Sequence, residues 1–233
     1  MLEDTLKRGL ETMSIPFGGD ALARFRTYYD LLEQRNRVMN LTAISGEDEV
    51  AVKHFLDSAA VLLRFPLAGK SAVDVGSGAG FPGLPLKILV PDLRLTLIDA
   101  QQKRVDFLSE VCAALGFGDV RCLHARAEEA AALREGFDYA LARAVARLNV
   151  LCELCLPFVQ PGGAFLALKG PAAEEELAKA ERAIRLLGAD CEEVYDYALP
   201  GEDLRHNLVV LRKTAPTPKA YPRRFAQIKK SPL

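Results

Sequence analysis

The stretch Ser71-Ala-Val-Asp-Val-Gly-Ser-Gly-Ala-Gly-Phe-Pro-Gly83 constrains this chain more than any other. An apolar run of strand length leads straight into glycines at 76, 78, 80 and 83, and a helical pattern follows. Glycine permits a tight turn and lets a ligand approach the backbone with no Cβ in the way. Strand, glycine turn and helix in that order open a ligand-binding βαβ unit. Four glycines at this spacing argue against a turn that serves structure alone.

Gly78 to Gly83 also spells G-x-G-x-x-G, the fingerprint of dinucleotide sites. Charge separates that reading from its rival. Asp74 stands two residues before the first glycine, where a dinucleotide would set its pyrophosphate and a carboxylate would repel it. S-adenosylmethionine has no phosphate and carries a sulfonium and an ammonium, which an acidic neighbour tolerates or favours. The turn therefore reads as an S-adenosylmethionine site, with Asp74, Gly76 and Gly78 beside the cofactor.

From Ala72 onward, short apolar runs alternate with amphipathic helical stretches, the pattern of an α/β fold around a parallel sheet. Strands are predicted at 71–75, 93–98, 120–125, 139–142, 164–168, 191–198 and 208–212. Helices are predicted at 84–89, 103–115, 148–158 and 172–187. Only the turn Pro200-Gly-Glu-Asp203 parts the last two strands, so they should pair antiparallel at the end of the sheet. Before Ala72 the chain reads as helical, with apolar residues at 22, 25, 28, 29, 31 and 32 and a second helix over 47–63. Three parts are expected: a helical region 1–65, a methyltransferase domain 66–214, and a basic tail 215–233 lying on the surface.

Strand ends supply the remaining site candidates, because ligands in such sheets lie beyond the carboxyl ends of the strands. Asp99 closes the second strand about 20 positions past the glycine turn, where a carboxylate can bind a ribose diol. A helix cap is the structural alternative, since a helix follows at once. His124-Ala-Arg-Ala-Glu128 ends the third strand and puts Ala127 and Glu128 beside an adenine. Ala142-Arg143-Ala144 ends the fourth.

The net charge of −1 does not by itself suggest a nucleic-acid partner. Its distribution says more. After Asp203 there is no acidic residue, while Arg205, Arg212, Lys213, Lys219, Arg223, Arg224, Lys229 and Lys230 accumulate. Such a segment serves phosphate binding or solubility. The five cysteines are scattered, and Cys152-Glu-Leu-Cys155 sits in an apolar helical run without a second pair. Reduced core thiols and no metal are expected. The opening MLEDTLKRGLETM lacks the apolar core of a signal peptide, and no run approaches the roughly 18 apolar residues of a membrane span. A cytoplasmic protein with no membrane partner and no obligate protein partner is expected.

Taken together, these motifs resemble the bacterial 16S ribosomal RNA guanine-N7 methyltransferases, the RsmG (GidB) family. Asn40-Leu-Thr-Ala-Ile44 with His54-Phe-Leu-Asp57-Ser58 is similar to the family's N-terminal signature, and Asp74 to Leu86, with Pro82 and Pro85, to its cofactor loop. Lys103-Arg-Val-Asp-Phe-Leu108, Arg126-Ala-Glu128, Ala142-Arg-Ala-Val-Ala146 and Ala167-Leu-Lys-Gly170 follow in the family's order, and 221–233 resembles the ending of its longer members. One departure is Asp99-Ala-Gln-Gln102, where the family usually has serine and leucine-glycine.

The resemblance implies a Rossmann-like seven-stranded methyltransferase sheet whose last strand is antiparallel, with an N-terminal helical extension. It also implies S-adenosylmethionine as methyl donor, S-adenosylhomocysteine as product, and the small ribosomal subunit or its precursor as partner. By it Gly76, Phe81, Ala127, Glu128 and Arg143 contact the cofactor, with Asp99, Lys169, Arg205 and His206 as weaker carry-overs. Guanine N7 is a neutral lone pair that needs no deprotonation, so Arg143 and Lys169 are expected as positioning groups and no general base is needed. N7 is poorly accessible in an A-form duplex, so a splayed guanine is required. Arg35, Arg37, Lys53, Arg143, Arg147, Arg205, His206, Arg223 and Arg224 are the candidate RNA contacts. His54 and Asp57, one helical turn apart, form a local pair or touch RNA.

Overall fold

The computed structural model describes residues 1–144 and 146–233. Val145, inside the signature at 142–146, lies outside the described residues. Seven strands, β1 (Ser71–Val75), β2 (Arg94–Asp99), β3 (Arg121–His124), β4 (Phe137–Arg143), β5 (Val159–Lys169), β6 (Ala189–Ala198) and β7 (Arg205–Lys213), form one sheet in the order β3-β2-β1-β4-β5-β7-β6. Strands β1 to β5 pair parallel, and β7 enters antiparallel between β5 and β6. Both faces are buried, so each strand sends alternate apolar side chains to opposite layers. Ala72, Leu97, Leu166 and Leu208 pack on one side, and Val73, Ile98, Ala167 and Val209 on the other.

The first layer holds α1 (Leu2–Thr12), α2 (Ala21–Met39), α5 (Gly83–Leu89) and α6 (Gln102–Ala114). Leu6, Phe25 and Phe55 share one hydrophobic cluster with Leu97 and Leu141 of the sheet, so the core runs through residue 65 without a break. The opposite layer holds α7 (Leu148–Cys155) and α8 (Ala173–Leu186). No helix among the described residues is long and apolar enough to cross a membrane.

Two regions differ from the sequence expectation. The helix over 47–63 is continuous but not regular: α3 (Glu47–Val50) opens into a π-helical turn over Ala51–Leu56, then α4 (Asp57–Ala59) and a 3-10 turn over Ala60–Leu63. A side chain inserted into a helix ladder is a known cause of such widening. Here the Arg143 guanidinium donates to the carbonyl of Lys53 at 2.9 Å and reaches that of His54 at 3.5 Å.

The tail lies along the surface, most of its residues exposed, but it is fastened to the second layer. Its short helix α9 (Phe225–Lys230) buries Ile228 completely. Arg134 donates to the carbonyls of Thr217 and Tyr221. Arg223 forks onto the fully buried Glu153 at 2.6 and 2.8 Å. A buried carboxylate needs such a partner, so Arg223 is a structural anchor rather than a free phosphate ligand.

Candidate active site

The strand order reverses between β1 and β4, and the crevice beyond their carboxyl ends is the topological switch point of the sheet. The glycine turn lines it. Gly76, Gly78 and Gly80 have φ of 71°, 59° and 102°, values that favour glycine. A Cβ on Gly80 would stand 2.5 Å from Leu84 and 2.6 Å from the Tyr28 hydroxyl. That hydroxyl donates to the Ala79 carbonyl, so α2 braces the turn from the first layer.

Two carboxylates hold the turn, and their roles differ from the sequence reading. Asp74 is fully buried beneath it, where one oxygen accepts the Gly83 amide at 2.9 Å and the other has no partner among the described residues. Burial pushes its carboxyl up to about 7, so the group is partly neutral near neutral pH. Asp74 therefore shapes the turn from behind instead of repelling a phosphate in the crevice. The residue that guards the turn is Asp99, which accepts the Gly78 amide at 3.0 Å and the Gln101 amide at 2.9 Å. A diphosphate would need that Gly78 amide and finds a carboxylate on it. Asp99 thus joins the helix-cap role to a place on the cavity wall.

A cavity of about 540 Å³ runs from Asp99, Gln101 and Arg104 past Gly76–Ala79 and Phe81 to Thr42, His54 and Arg143. That volume suits a ligand of nucleoside size. A second cavity of about 520 Å³ adjoins it, lined by Lys53, Asp57, Arg147, Lys169, Glu176 and His206. His54, Arg143 and Ala144 belong to both, so they form the shared wall.

The wall is a buried polar network. Arg143 bonds Asp57 Oδ2 at 2.8 Å and His54 Nδ1 at 2.8 Å, and its guanidinium lies 4.8 Å from the Phe81 ring centre. The other Asp57 oxygen takes Tyr197 at 2.7 Å and His206 at 3.3 Å. Burial alone would raise the Asp57 carboxyl, but His206, Arg143 and Tyr197 together hold it below its ordinary value. His54, stacked 4.4 Å from Phe81, is pushed down to about 3 by burial and by the Arg143 charge, so its imidazole is neutral. The expected local pairing of His54 with Asp57 is absent; each meets Arg143 instead, because the π turn aims both at one guanidinium.

The other candidates divide. Gly76, Gly78, Phe81, Asp99 and Arg143 meet at the first cavity, and Lys53, Arg147, Lys169 and His206 at the second. Ala127 and Glu128 line neither; they border a separate cavity of about 450 Å³ against Tyr221 and Pro222 of the tail. Arg35 lies elsewhere, bound at 2.8 Å to Glu110 by two parallel hydrogen bonds. Arg205 and Arg224 are exposed and line none of these cavities. Lys169 is tied to Glu176 at 2.7 Å, and Lys53 to Glu49 at 2.5 Å. Sequence reasoning passed over Tyr28, Tyr197, Glu153 and Glu176. Each works by a contact across 51 or more positions, or, for Glu176, across 28 to Leu148, and no local pattern marks it.

Comparison with known proteins agrees with this geometry. The profile of the family described as rRNA small subunit methyltransferase G matches residues 21–203. A protein of that name from Alkaliphilus oremlandii is 44% identical over 100% of this chain and 99% of its own length. Another, from Pelotomaculum thermopropionicum, is 46% identical over the same shares. Among solved structures, a SAM-dependent methyltransferase from Aquifex aeolicus superposes with a TM-score of 0.52 at 20% identity, covering 66% of this chain and 89% of its own, and so shares the fold. A sheet ordered for a switch-point crevice and full-length identity of this degree lead to one conclusion: the chain is a member of the GidB family, rRNA small subunit methyltransferase G.

Proposed function

We propose that this protein transfers a methyl group from S-adenosylmethionine to N7 of a guanine in 16S ribosomal RNA. Family membership supports the reaction class, and one observation carries the site. Two cavities meet at a wall of Arg143 and His54, one fitted to an adenosyl ligand and the other rimmed with basic side chains.

The residues of the first cavity fit the cofactor. Gly76–Ala79 leave the backbone open, Asp99 Oδ1 keeps a lone pair for a ribose hydroxyl, and Phe81 offers an apolar face. When bound, the cofactor supplies an electrophilic methyl carbon on a sulfonium. The chain's own part is positioning. Arg143 and the neutral His54 are fixed by mutual hydrogen bonds and take no proton from the guanine, whose N7 already has its lone pair free. Alignment of this kind can supply about 7–11 kcal/mol of the barrier. Lys169, held by Glu176 and by the Ala146 carbonyl, and the exposed Arg147 are placed to receive the splayed nucleotide and its phosphates. Such a substrate sets the cytoplasm as the place of action. The regions 1–65, 66–214 and 215–233 then act as one unit, with the tail fastened beside Ala127 and Glu128.

The test is to incubate the purified chain with radiolabelled S-adenosylmethionine and small ribosomal subunits lacking the modification, then map the label. We expect a single N7-methylguanosine in 16S RNA. Label that stays out of the RNA, or lands on another base atom, rejects the reading.

A further inference from the structure

The hydrogen-bond directions around Thr42 are forced, and they leave one proton without a destination. Thr42 follows α2, where the Asn36 side chain grips it from both sides, accepting its amide and donating to its carbonyl, each at 2.9 Å. Its hydroxyl oxygen accepts the Ile44 amide at 3.0 Å and lies 2.7 Å from His54 Nε2. An arginine only donates, so His54 Nδ1 must be the acceptor of the Arg143 hydrogen bond. With the ring neutral, the imidazole proton sits on Nε2 and points at Thr42. Both lone pairs of the Thr42 oxygen are then taken, and its own hydrogen remains to be donated. Among the described residues it has no acceptor, and Thr42 lines the first cavity with Gly76, Ala79 and Phe81.

A ligand that displaces water from that cavity is placed to supply the acceptor. Sulfonium and ammonium groups cannot accept. Asp99 is bonded to Gly78 and Gln101, which suits a ribose, whereas Thr42 is linked through His54 to Arg143, where a negative group gains most. We propose that the Thr42 hydroxyl donates to the carboxylate of the cofactor's amino-acid portion, held in aim by the Arg143–His54 pair. Thr42 is therefore a positioning residue for the methionine arm, and the same arginine that faces the RNA cavity fixes it. The inference rests on the reading of this cavity as the S-adenosylmethionine site.

Calorimetry on the full chain separates the two. The probes are S-adenosylhomocysteine and 5′-methylthioadenosine, which keeps the adenosine and thioether but lacks the amino-acid carboxylate. Thr42→Val should weaken S-adenosylhomocysteine about tenfold or more, the loss of one charge-assisted hydrogen bond, and leave methylthioadenosine within about twofold. Thr42→Ser, which keeps the hydroxyl, should recover most of the affinity. Equal losses for both ligands would overturn the proposal, since the effect would then lie in the adenosine end or the fold. Unchanged binding of S-adenosylhomocysteine by Thr42→Val would overturn it too. A wild-type chain that binds neither probe would instead bring down the cofactor reading, and this inference with it.

Discussion

The two cavities on either side of Arg143 are made differently. The first is built from backbone: a glycine turn within 71–83, closed by one carboxylate at 99. Beside Asp99, Arg104 and Arg143 its other ionisable groups are muted, with Asp74 buried behind it and pushed up to about 7 and His54 neutral. The second is built from charged side chains of separate segments, and most of its cations already have partners: Lys53 has Glu49, Arg143 has Asp57 and Lys169 has Glu176. On the proposed function the first cavity cradles an adenosyl group, which needs shape before charge, and the second receives an RNA phosphate, which needs charge that pairing keeps in place.

The comparison breaks most completely at the shared wall. Arg143→Ala leaves the buried Asp57 carboxylate with only His206 and Tyr197, and removing one partner of a buried pair costs about 3–5 kcal/mol. Urea denaturation should show that loss, and S-adenosylhomocysteine affinity and methylation should fall together. A loss under about 1 kcal/mol, within the range of an exposed pair, would mean the wall does not join the cavities.

A smaller effect tests the muted side. Between its ordinary 3.8 and about 7 the Asp74 carboxyl holds more proton in the folded chain than in the unfolded one. Its contribution therefore falls as pH rises through that window and stays low above it. Arg143 works against the shift and Asp99 with it. Asp74→Asn keeps an acceptor for Gly83 and should match the wild type near pH 4 but exceed it by a few kcal/mol at pH 8. A constant gap across pH in chemical denaturation would show that Asp74 titrates normally.

The smallest effect belongs to the charged side. Arg147→Ala should lower the salt slope of RNA binding by about one and leave S-adenosylhomocysteine affinity unchanged. An unaltered slope in filter binding would place the phosphate contact elsewhere.

How much of this was readable in advance follows the same division. The strands and most helices were placed within a few residues, because alternation in two buried faces and a glycine turn are local patterns. The π turn over Ala51–Leu56 was invisible, since its cause is a guanidinium 86 to 90 positions away. The anchoring of the tail is not legible because only scattered apolar residues mark it, and Ile228 joins the hydrophobic cluster that includes α7 and α8. Asp74 reads in the sequence as the acidic neighbour of the turn and Asp99 as a ribose ligand or helix cap; which of them lines the cavity depends on burial.

The amino-acid sequence alone determined the α/β architecture, the glycine turn and the family signature, because each rests on residue spacing within one segment. Tertiary structure decided which charges are free. Asp74 went beneath the turn, Arg35 and Arg223 went to carboxylates, and Arg143 became the wall shared by two cavities. The physical reason is that a charge acts through its surroundings, and those come from distant parts of the chain folded against it.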